Sequence, residues 1–560
     1  MSRGGPATVT GSCQRKGERG RGGGMGEWWR GAVIYQIYPR SFLDMNGDGV
    51  GDLAGVTERL YHVAALGVDG VWLSPFFRSP MKDFGYDVED YRAVDPLFGN
   101  LGDVDRLLER AHALGLKVLI DMVLSHTSDR HAWFRESRQG RDNGRADWYV
   151  WAEPKPDGSP PNNWLSVFGG PAWTWDSRRR QYYLHNFLAS QPDLNLHNPA
   201  VQDAVLAECA FWLDRGVDGF RLDVANYYLH DRLLRDNPAR PPGSPWPDGV
   251  PPGSTYGMQV HVHDKSQPEN HAILRRLRTL LDRYPGRMAV AEVHDDDSVA
   301  RAAEYVAGPD RLHTAYNFAL LGVGGGAAAI RRTVEAFERQ PGHGWPSWAF
   351  SNHDVERVAS RWGGPEAPPA ASKLFLALLT SLRGTAFVYQ GEELGLPQAD
   401  VPFDRLQDPF GIAIWPEAGG RDGCRTPMPW AQNAPHAGFS SAEPWLPVPD
   451  AHRARAVDVQ RTDPDSVLAF TRGWLAWRKG QPALRLGDIR FRDMPEPLLA
   501  FERRHEGQTL LCVFNLGPRA VEVPLPDAER WRELHGHGMA GAISNGVIHL
   551  PGWGGVVALG

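Results

Sequence analysis

From Gly31 onward, short apolar runs alternate with longer amphipathic segments. Eight runs read as strands: Ala32–Ile37, Gly70–Leu73, Val118–Val123, Asp218–Asp223, Met288–Val293, Thr314–Phe318, Ser347–Phe350 and Ala386–Tyr389. Helical patterns lie between most of them. The clearest cover Val104–Leu114, Ala200–Asp214, Ala272–Leu281 and Ala371–Leu382, with apolar residues near i, i+3, i+4 spacing. This alternation predicts βαβ units around a parallel sheet. Two strings, Leu66-Gly67-Val68-Asp69-Gly70 and Arg215-Gly216-Val217-Asp218-Gly219, each close a helix and open a strand. Glycine after a helix supplies the left-handed cap that turns the chain back. Eight such units point to a (β/α)₈ barrel. An open doubly wound sheet is the competitor, but no Gly-x-Gly-x-x-Gly lies between a strand and a helix.

The pattern is interrupted twice. Between His126 and Asp193, after the third strand, lies a stretch rich in Pro, Gly, Asn and Trp. It is too long for a structureless loop and reads as a small subdomain. A proline-rich insertion, Tyr227 to Ala272, follows the fourth strand. After about Arg478 the chain changes to short alternating runs such as Leu498–Glu502, Thr509–Phe514 and Ala520–Pro524, which predict an antiparallel C-terminal β-sandwich. The expected organisation is a tail over 1–24, a barrel over 25–125 and 194–477, an inserted subdomain over 126–193 and a C-terminal β domain over 478–560.

Composition narrows the function classes. The 560 residues carry a formal net charge of −7, which gives no reason to expect nucleic acid or an anionic membrane as partner. No stretch approaches the roughly 20 apolar residues of a membrane span. The four cysteines, Cys13, Cys209, Cys424 and Cys512, are scattered, as expected for reduced thiols in a cytoplasm. Met1–Gly24 is rich in Arg and Gly without an apolar core segment. It reads as a disordered tail, or as sequence upstream of a start at Met25, and not as a secretory signal. The 21 Trp, 15 Tyr and 22 Phe can fill a large core or stack on sugar rings.

The chemistry gathers at strand ends, where barrel enzymes build their sites. The third strand ends in Asp121 and is followed by His126; the fourth ends Gly219-Phe220-Arg221-Leu222-Asp223. The fifth carries Glu292, and the seventh runs into Ser351-Asn352-His353-Asp354. Alternation puts Arg221 and Asp223 on one face, with Phe220 and Leu222 turned toward the helices. An inward Arg beside an inward Asp favours the ionised carboxylate, as a glycosidase nucleophile requires. Glu292 on the next strand can face it across a sugar. Two carboxyls about 5–5.5 Å apart would give retention through a covalent glycosyl-enzyme.

These strings resemble glycoside hydrolase family 13, the α-amylase family, across about Trp28 to Gly560. The matching regions are Asp121–His126, Gly219–Asp223, Ala291-Glu292-Val293 and Ser351–Asp354, in order and at barrel spacing. The resemblance implies Asp223 as nucleophile, Glu292 as acid/base and Asp354 as the third carboxylate. It implies His126 and His353 as ligands of glucose hydroxyls. Gln191-Pro192-Asp193-Leu194-Asn195, Gly85-Tyr86-Asp87 and Cys424-Arg425-Thr426-Pro427-Met428-Pro429-Trp430 resemble the α-glucosidase and oligo-1,6-glucosidase group. That likeness implies Tyr86 beneath the non-reducing glucose, and an Asp87–Arg425 pair closing the pocket around it. Phe168 and Phe187 are further candidates for the lining. Val224, beside the nucleophile, is the type associated in this group with tolerance of α-1,6 linkages, and no single linkage is assigned.

The loop Asp44-Met45-Asn46-Gly47-Asp48-Gly49-Val50-Gly51-Asp52 offers oxygen donors at alternating positions, suited to a hard cation such as Ca²⁺ or Mg²⁺. It is not an EF-hand, because the required glutamate would fall at Gly55. The family resemblance implies Asp44, Asn46, Asp48, Asp52 and the Val50 carbonyl as ligands of a structural ion, with no organic cofactor. The expected function is exo-acting cleavage of short α-glucosides with retention, with transfer to acceptor hydroxyls. The alternatives are an isomerase or transglucosylase of sucrose, maltose or trehalose, and, from another class, an inactive barrel serving as a binding partner. Oligomeric state is left open.

Overall fold

The computed structural model describes residues 1, 27–247, 250, 253–322, 324–342, 344–366, 368–416 and 420–560. The expected tail, Met1–Gly24, lies outside the described residues apart from Met1. Eight parallel strands form the central sheet: β1 (Val33–Ile37), β2 (Gly70–Leu73), β3 (Lys117–Met122), β4 (Gly219–Leu222), β5 (Met288–Val293), β6 (Thr314–Asn317), β7 (Ser347–Ala349) and β8 (Thr385–Tyr389). They pair in the order β6-β5-β4-β3-β2-β1-β8-β7. A parallel bridge between Ala315 and Pro346 joins the two ends, so the sheet closes into a barrel. The main helices around it are α1 (Leu53–Leu66), α2 (Leu101–Ala113), α3 (Pro199–Asp214), α4 (Asn270–Leu281), α5 (Ser298–Val306), α6 (Ala327–Glu338), α7 (Pro369–Ser381) and α8 (Val467–Lys479).

Side-chain alternation sorts the strand residues into two layers. Ile34, Trp72, Leu119, Val290, Tyr316, Ala349 and Phe387 pack together inside the barrel. Their neighbours Val33, Val71, Val118, Phe220 and Ala291 pack outward against the helices. Helix ends are fixed locally. Asp52 accepts the Gly55 N–H at the start of α1, and Asn100 and Asp103 form a reciprocal capping box on α2.

The two echoed strings share more than a turn. Gly67 and Gly216 both adopt left-handed φ, 90° and 104°, where a side chain would add strain. The aspartate that follows each then ties a neighbouring strand. Asp69 accepts the Val33 N–H at 2.8 Å, and Asp218 accepts the Val118 N–H at 3.0 Å. Asp218 is buried and also pairs with His112, Lys117 and Arg287. Each of these two units thus supplies a carboxylate that fixes the start of the strand beside it.

His126 and Asp193 face each other in an antiparallel bridge at the neck of the segment after β3. That segment folds into a three-stranded antiparallel sheet, with Gln181–Leu184 between Trp151–Ala152 and Trp173–Asp176. At the C-terminus a five-stranded antiparallel sheet faces a three-stranded one across Leu498, Ala500, Leu511, Val513, Ile548 and Leu550. The alternate residues Leu499, Phe501, Leu510, Cys512 and Phe514 join the barrel's outer core. The sandwich therefore shares one continuous apolar layer with the helices.

Removing the Asp218 carboxylate leaves a strand-start N–H, the Lys117 and Arg287 cations and the His112 ring without their acceptor. Asp218→Ala is expected to lower unfolding free energy by about 3 kcal/mol, read as a reduced urea midpoint at unchanged slope. A shift under about 0.5 kcal/mol would show that the tie does not hold the sheet.

Candidate active site

The C-terminal ends of the strands surround a cavity of about 490 Å³, within the usual range for a small-molecule site. Its walls include Tyr86, His126, Asp223, Glu292 and Asp354, with Phe168 and Phe187 along one side. Beneath them lies Arg221, one of the largest fully buried side chains in the protein.

Sheet register brings the groups together. Arg221 stands opposite Asp121 on β3 and Val290 on β5, and Glu292 stands opposite Tyr316 on β6. Arg221 Nη1 reaches Asp121 Oδ1 at 2.8 Å and Asp223 Oδ1 at 2.5 Å. Its Nη2 reaches Glu292 Oε1 at 2.6 Å and the Tyr316 hydroxyl at 2.9 Å. The Trp72 ring lies 5.1 Å from the guanidinium. Glu292 also accepts the Val224 N–H, at 2.9 Å, through its second oxygen. Val224 itself sits at φ 38°, an unusual backbone for a β-branched residue.

One guanidinium therefore serves three buried carboxyls, and burial outweighs it. Burial pushes Asp223 up to about 7 and Glu292 up to about 7, with Arg221 opposing in both; burial also pushes Asp121 up to about 6. Asp354 is different. Burial again disfavours its charge, but the Arg425 and Arg421 guanidiniums hold its carboxyl well below the usual carboxylate range. The site thus contains one firmly ionised carboxylate and a pair poised to hold or release a proton near neutrality.

Both histidines are kept neutral by burial, His126 near 4 and His353 near 3. His126 Nε2 lies 3.1 Å from the Tyr86 carbonyl, to which it donates, and its ring borders the cavity. His353 has no exposure to solvent and does not border the cavity. Gln36 Nε2 donates to its Nδ1 at 2.8 Å, so its Nε2–H faces the Tyr86 hydroxyl at 2.7 Å. Tyr86 in turn donates to Asp121 at 3.0 Å. The expectation that His353 binds sugar hydroxyls directly is corrected on this point: it orients Tyr86 and adjoins Asp354.

The pocket-closing pair is also corrected. Asp87 is buried within its own turn, accepting from the Ser79 hydroxyl and the Lys82 and Asp83 N–H groups. Arg425 sits behind Asp354, 2.8 Å from Oδ1, and donates to the His353 carbonyl at 2.6 Å. The pair facing the cavity is Asp83–Arg421, at 2.9 Å. Arg421 also meets Asp408 at 2.8 Å and Asp354 at 3.2 Å, and Gln191 donates to Asp83 at 3.1 Å. Phe168 packs 5.3 Å from the Arg421 guanidinium. Asp83, Arg421, Gln191 and Tyr316 were not among the sequence candidates as site residues, although Asp83 and Arg421 stand within four residues of Asp87 and Arg425.

The Asp44–Asp52 loop lies before α1. Asp44 accepts the Gly47 and Gly49 N–H groups at 2.7 and 2.8 Å, and Asp48 accepts the Val50 N–H at 2.9 Å. Asn46 accepts the Asp48 N–H at 2.9 Å, while Asp52 accepts from Met45 and Gly55. Among the described residues, no three Asp, Glu, His or Cys side chains converge on a metal-sized point.

The two aspartates of the turn predict opposite outcomes. Asp83→Asn, which breaks the ion pair with Arg421, is expected to lower kcat/KM on short α-glucosides about 30-fold or more, mostly through KM. Asp87→Asn keeps acceptor contacts with the turn and is expected to change it less than about fivefold. Steady-state kinetics of both variants checks the assignment, and the reverse ranking would restore Asp87 to the pocket.

Comparison with known proteins identifies the family. Residues 36–487 match the family model described as alpha amylase, catalytic domain, and residues 491–557 match maltogenic amylase, C-terminal domain. A probable alpha-glucosidase of Rhizobium meliloti (strain 1021) is 54% identical over 94% of this chain and 96% of its own length. An oligo-1,6-glucosidase of Heyndrickxia coagulans is 37% identical over 92% of this chain and 96% of its own. The crystal structure of the alpha-glucosyl transfer enzyme XgtA superposes with a TM-score of 0.93 at 57% identity, covering 95% of this chain and 99% of that one. With its closed eight-stranded barrel, strand-end carboxyls and C-terminal sandwich, the chain belongs to the α-amylase family of glycoside hydrolases.

Proposed function

We propose that the chain is a retaining, exo-acting α-glucosidase of short α-glucosides that also passes glucose to acceptor hydroxyls. The observation that carries this reading is the cavity's division of charge. Asp354, Arg421 and Asp83 form an ionised end suited to the hydroxyls of a terminal glucose. Asp223 and Glu292 share one guanidinium where the glycosidic bond would lie. An end occupied by buried ion pairs leaves no path for a chain to run through, which favours cleavage from the terminus.

In this reading the Asp223 carboxylate attacks the anomeric carbon while Glu292 gives its proton to the glycosidic oxygen. The bond to the aglycone breaks and a glucosyl ester of Asp223 forms. Glu292, now ionised, takes a proton from water or an acceptor hydroxyl, whose oxygen displaces Asp223 and restores both groups. Burial supports Glu292 as acid because it raises its proton affinity toward neutrality. Burial raises Asp223 to the same range, and the Arg221 guanidinium in contact with its Oδ1 pulls it back toward the ionised form that attack requires. His126, Tyr86 and Phe168 would hold the glucose, with Arg425 and His353 fixing Asp354 and Tyr86 from behind.

The first glucose released is expected to be the α-anomer, followed by proton NMR before mutarotation; initial β-glucose would refute the ester. Asp223→Ala is expected to lose more than about 10⁴-fold in kcat. Glu292 must be protonated to act, so kcat/KM is expected to fall as pH rises through about 7. In Glu292→Gln that limb should vanish for substrates with good leaving groups.

We further read the Asp44–Asp52 loop as a structural Ca²⁺ or Mg²⁺ site, held by Asp44, Asn46, Asp48, Asp52 and the Val50 carbonyl. The chemistry of the donor set supports it. Among the described residues none of the three carboxylates has a Lys, Arg or His ion-pair partner. A bound ion would supply that missing positive charge and cross-link the loop ahead of α1. Chelation by EDTA is expected to lower Tm by several degrees, restored by Ca²⁺ or Mg²⁺; an unchanged Tm would argue for a metal-free turn. We also assign the enzyme to the cytoplasm, supported by Cys209, Cys424 and Cys512, all buried and unbridged. No helix of the described residues is long and apolar enough to cross a membrane.

A further inference from the structure

A second cavity, about 920 Å³, lies on the outer wall of the barrel, away from the carboxyl cluster. It is bounded by α1, α2, α8 and the short helix Val457–Thr462. Five of its lining side chains are guanidiniums: Arg59 from α1, Arg106 and Arg110 from α2, Arg461 from the short helix and Arg472 from α8. The acidic residues on the same wall are Glu58 and Asp103. Asp103 already pairs with Arg106. Among the described residues, Arg59, Arg110, Arg461 and Arg472 have no carboxylate within ion-pair distance. This concentration of positive charge stands in a chain whose formal net charge is −7.

Two of these groups are also unsatisfied. The Nε atoms of Arg59 and Arg472 are shielded from solvent and lack an acceptor among the described residues. Arg59 lies over the Trp430 ring, 4.7 Å from its centroid, which holds it at the cavity wall. Burial lowers its proton affinity; the Glu58 charge opposes that shift and the Arg461 charge adds to it. Bringing four or five like charges around one cavity costs free energy unless something negative occupies it. Guanidinium donors arranged in planar forks match phosphate oxygens closely.

We propose that this cavity binds a multiply charged, phosphate-bearing anion. The site is distinct from the glucoside pocket and does not depend on the reaction assigned there. Its walls come from the first two helices of the barrel and the last. A bound anion would therefore link helices from the two ends of the barrel segment, beside the pairing of β1 with β8. Trp430, at the cavity wall, donates to the Phe42 carbonyl at 2.6 Å and so ties the site to the segment after β1.

The test is thermal unfolding of the full chain titrated with tripolyphosphate, inorganic phosphate, a nucleoside triphosphate and glucose 6-phosphate, each against NaCl at matched ionic strength. A saturable Tm rise of about 2 °C or more beyond NaCl is expected with at least one phosphate ligand, and calorimetry should give one site per chain. The arms distinguish an inorganic oligophosphate from a nucleotide or sugar phosphate. Arg461→Glu, an exposed position, should weaken binding at least tenfold while leaving Tm in the absence of ligand no lower than that of wild type. Arg59→Gln should do the same and serves as the second variant. Turnover of disaccharide without phosphate should be unchanged in Arg461→Glu. No rise beyond NaCl with any ligand, or an equal rise in wild type and both variants, would overturn the proposal.

Discussion

The site depends on one buried positive charge. Arg221 is the common partner of Asp121, Asp223 and Glu292, and it stands on the inner face of β4 with almost no solvent contact. Removing such a charge would leave carboxyls packed in a dry interior with nothing to offset them. Its placement is a property of the sheet rather than of a loop. β3, β4 and β5 must pair in register for the guanidinium to meet all three groups, and a slip of one residue would turn it outward into the helices. The Asp69 and Asp218 ties at strand starts guard against such a slip from the opposite end of the barrel. Fold stability and the electrostatics of these carboxyls are thus set by the same register.

That arrangement explains why so much could be read from the chain alone. Strands buried on both faces appear as short apolar runs, and their alternation correctly separated Arg221 and Asp223 from Phe220 and Leu222. The strand-end carboxyls followed, because a strand has only two faces. The turn before Asp87 obeys no such rule. Met81 and Phe84 both have positive φ, at 60° and 51°, and Gly85 follows at 109°. Three left-handed residues within five reverse the chain's direction repeatedly, so proximity in sequence to Tyr86 could not say whether Asp83 or Asp87 faces the cavity. Arg421 and Arg425 flank a short 3₁₀ turn, Asp422–Cys424, that raises the same ambiguity. The role of His353 was hidden for another reason: a histidine beside a carboxylate looks like a ligand until its nitrogens are found already bonded to Gln36 and Tyr86.

The C-terminal sandwich bears on the site only indirectly. One face of its larger sheet merges with the barrel's outer core, through Phe501, Cys512 and Phe514. The buried Arg503 donates to the Ser381 carbonyl at the end of α7 across that seam, and to the carbonyls of Leu484 and Gly487. The sandwich therefore braces the helices around the barrel, on the outer side of the sheet from the substrate cavity.

Val224 couples two properties usually treated as separate. Its side chain borders the cavity, while its N–H holds the second oxygen of Glu292. Its backbone lies in the left-handed region, a conformation that costs a β-branched residue roughly 1–3 kcal/mol. A smaller or more permissive residue there would change the wall and also relax the peptide that holds Glu292. Cavity shape and the orientation of one buried carboxyl therefore meet in a single residue, and a substitution at that position alters both.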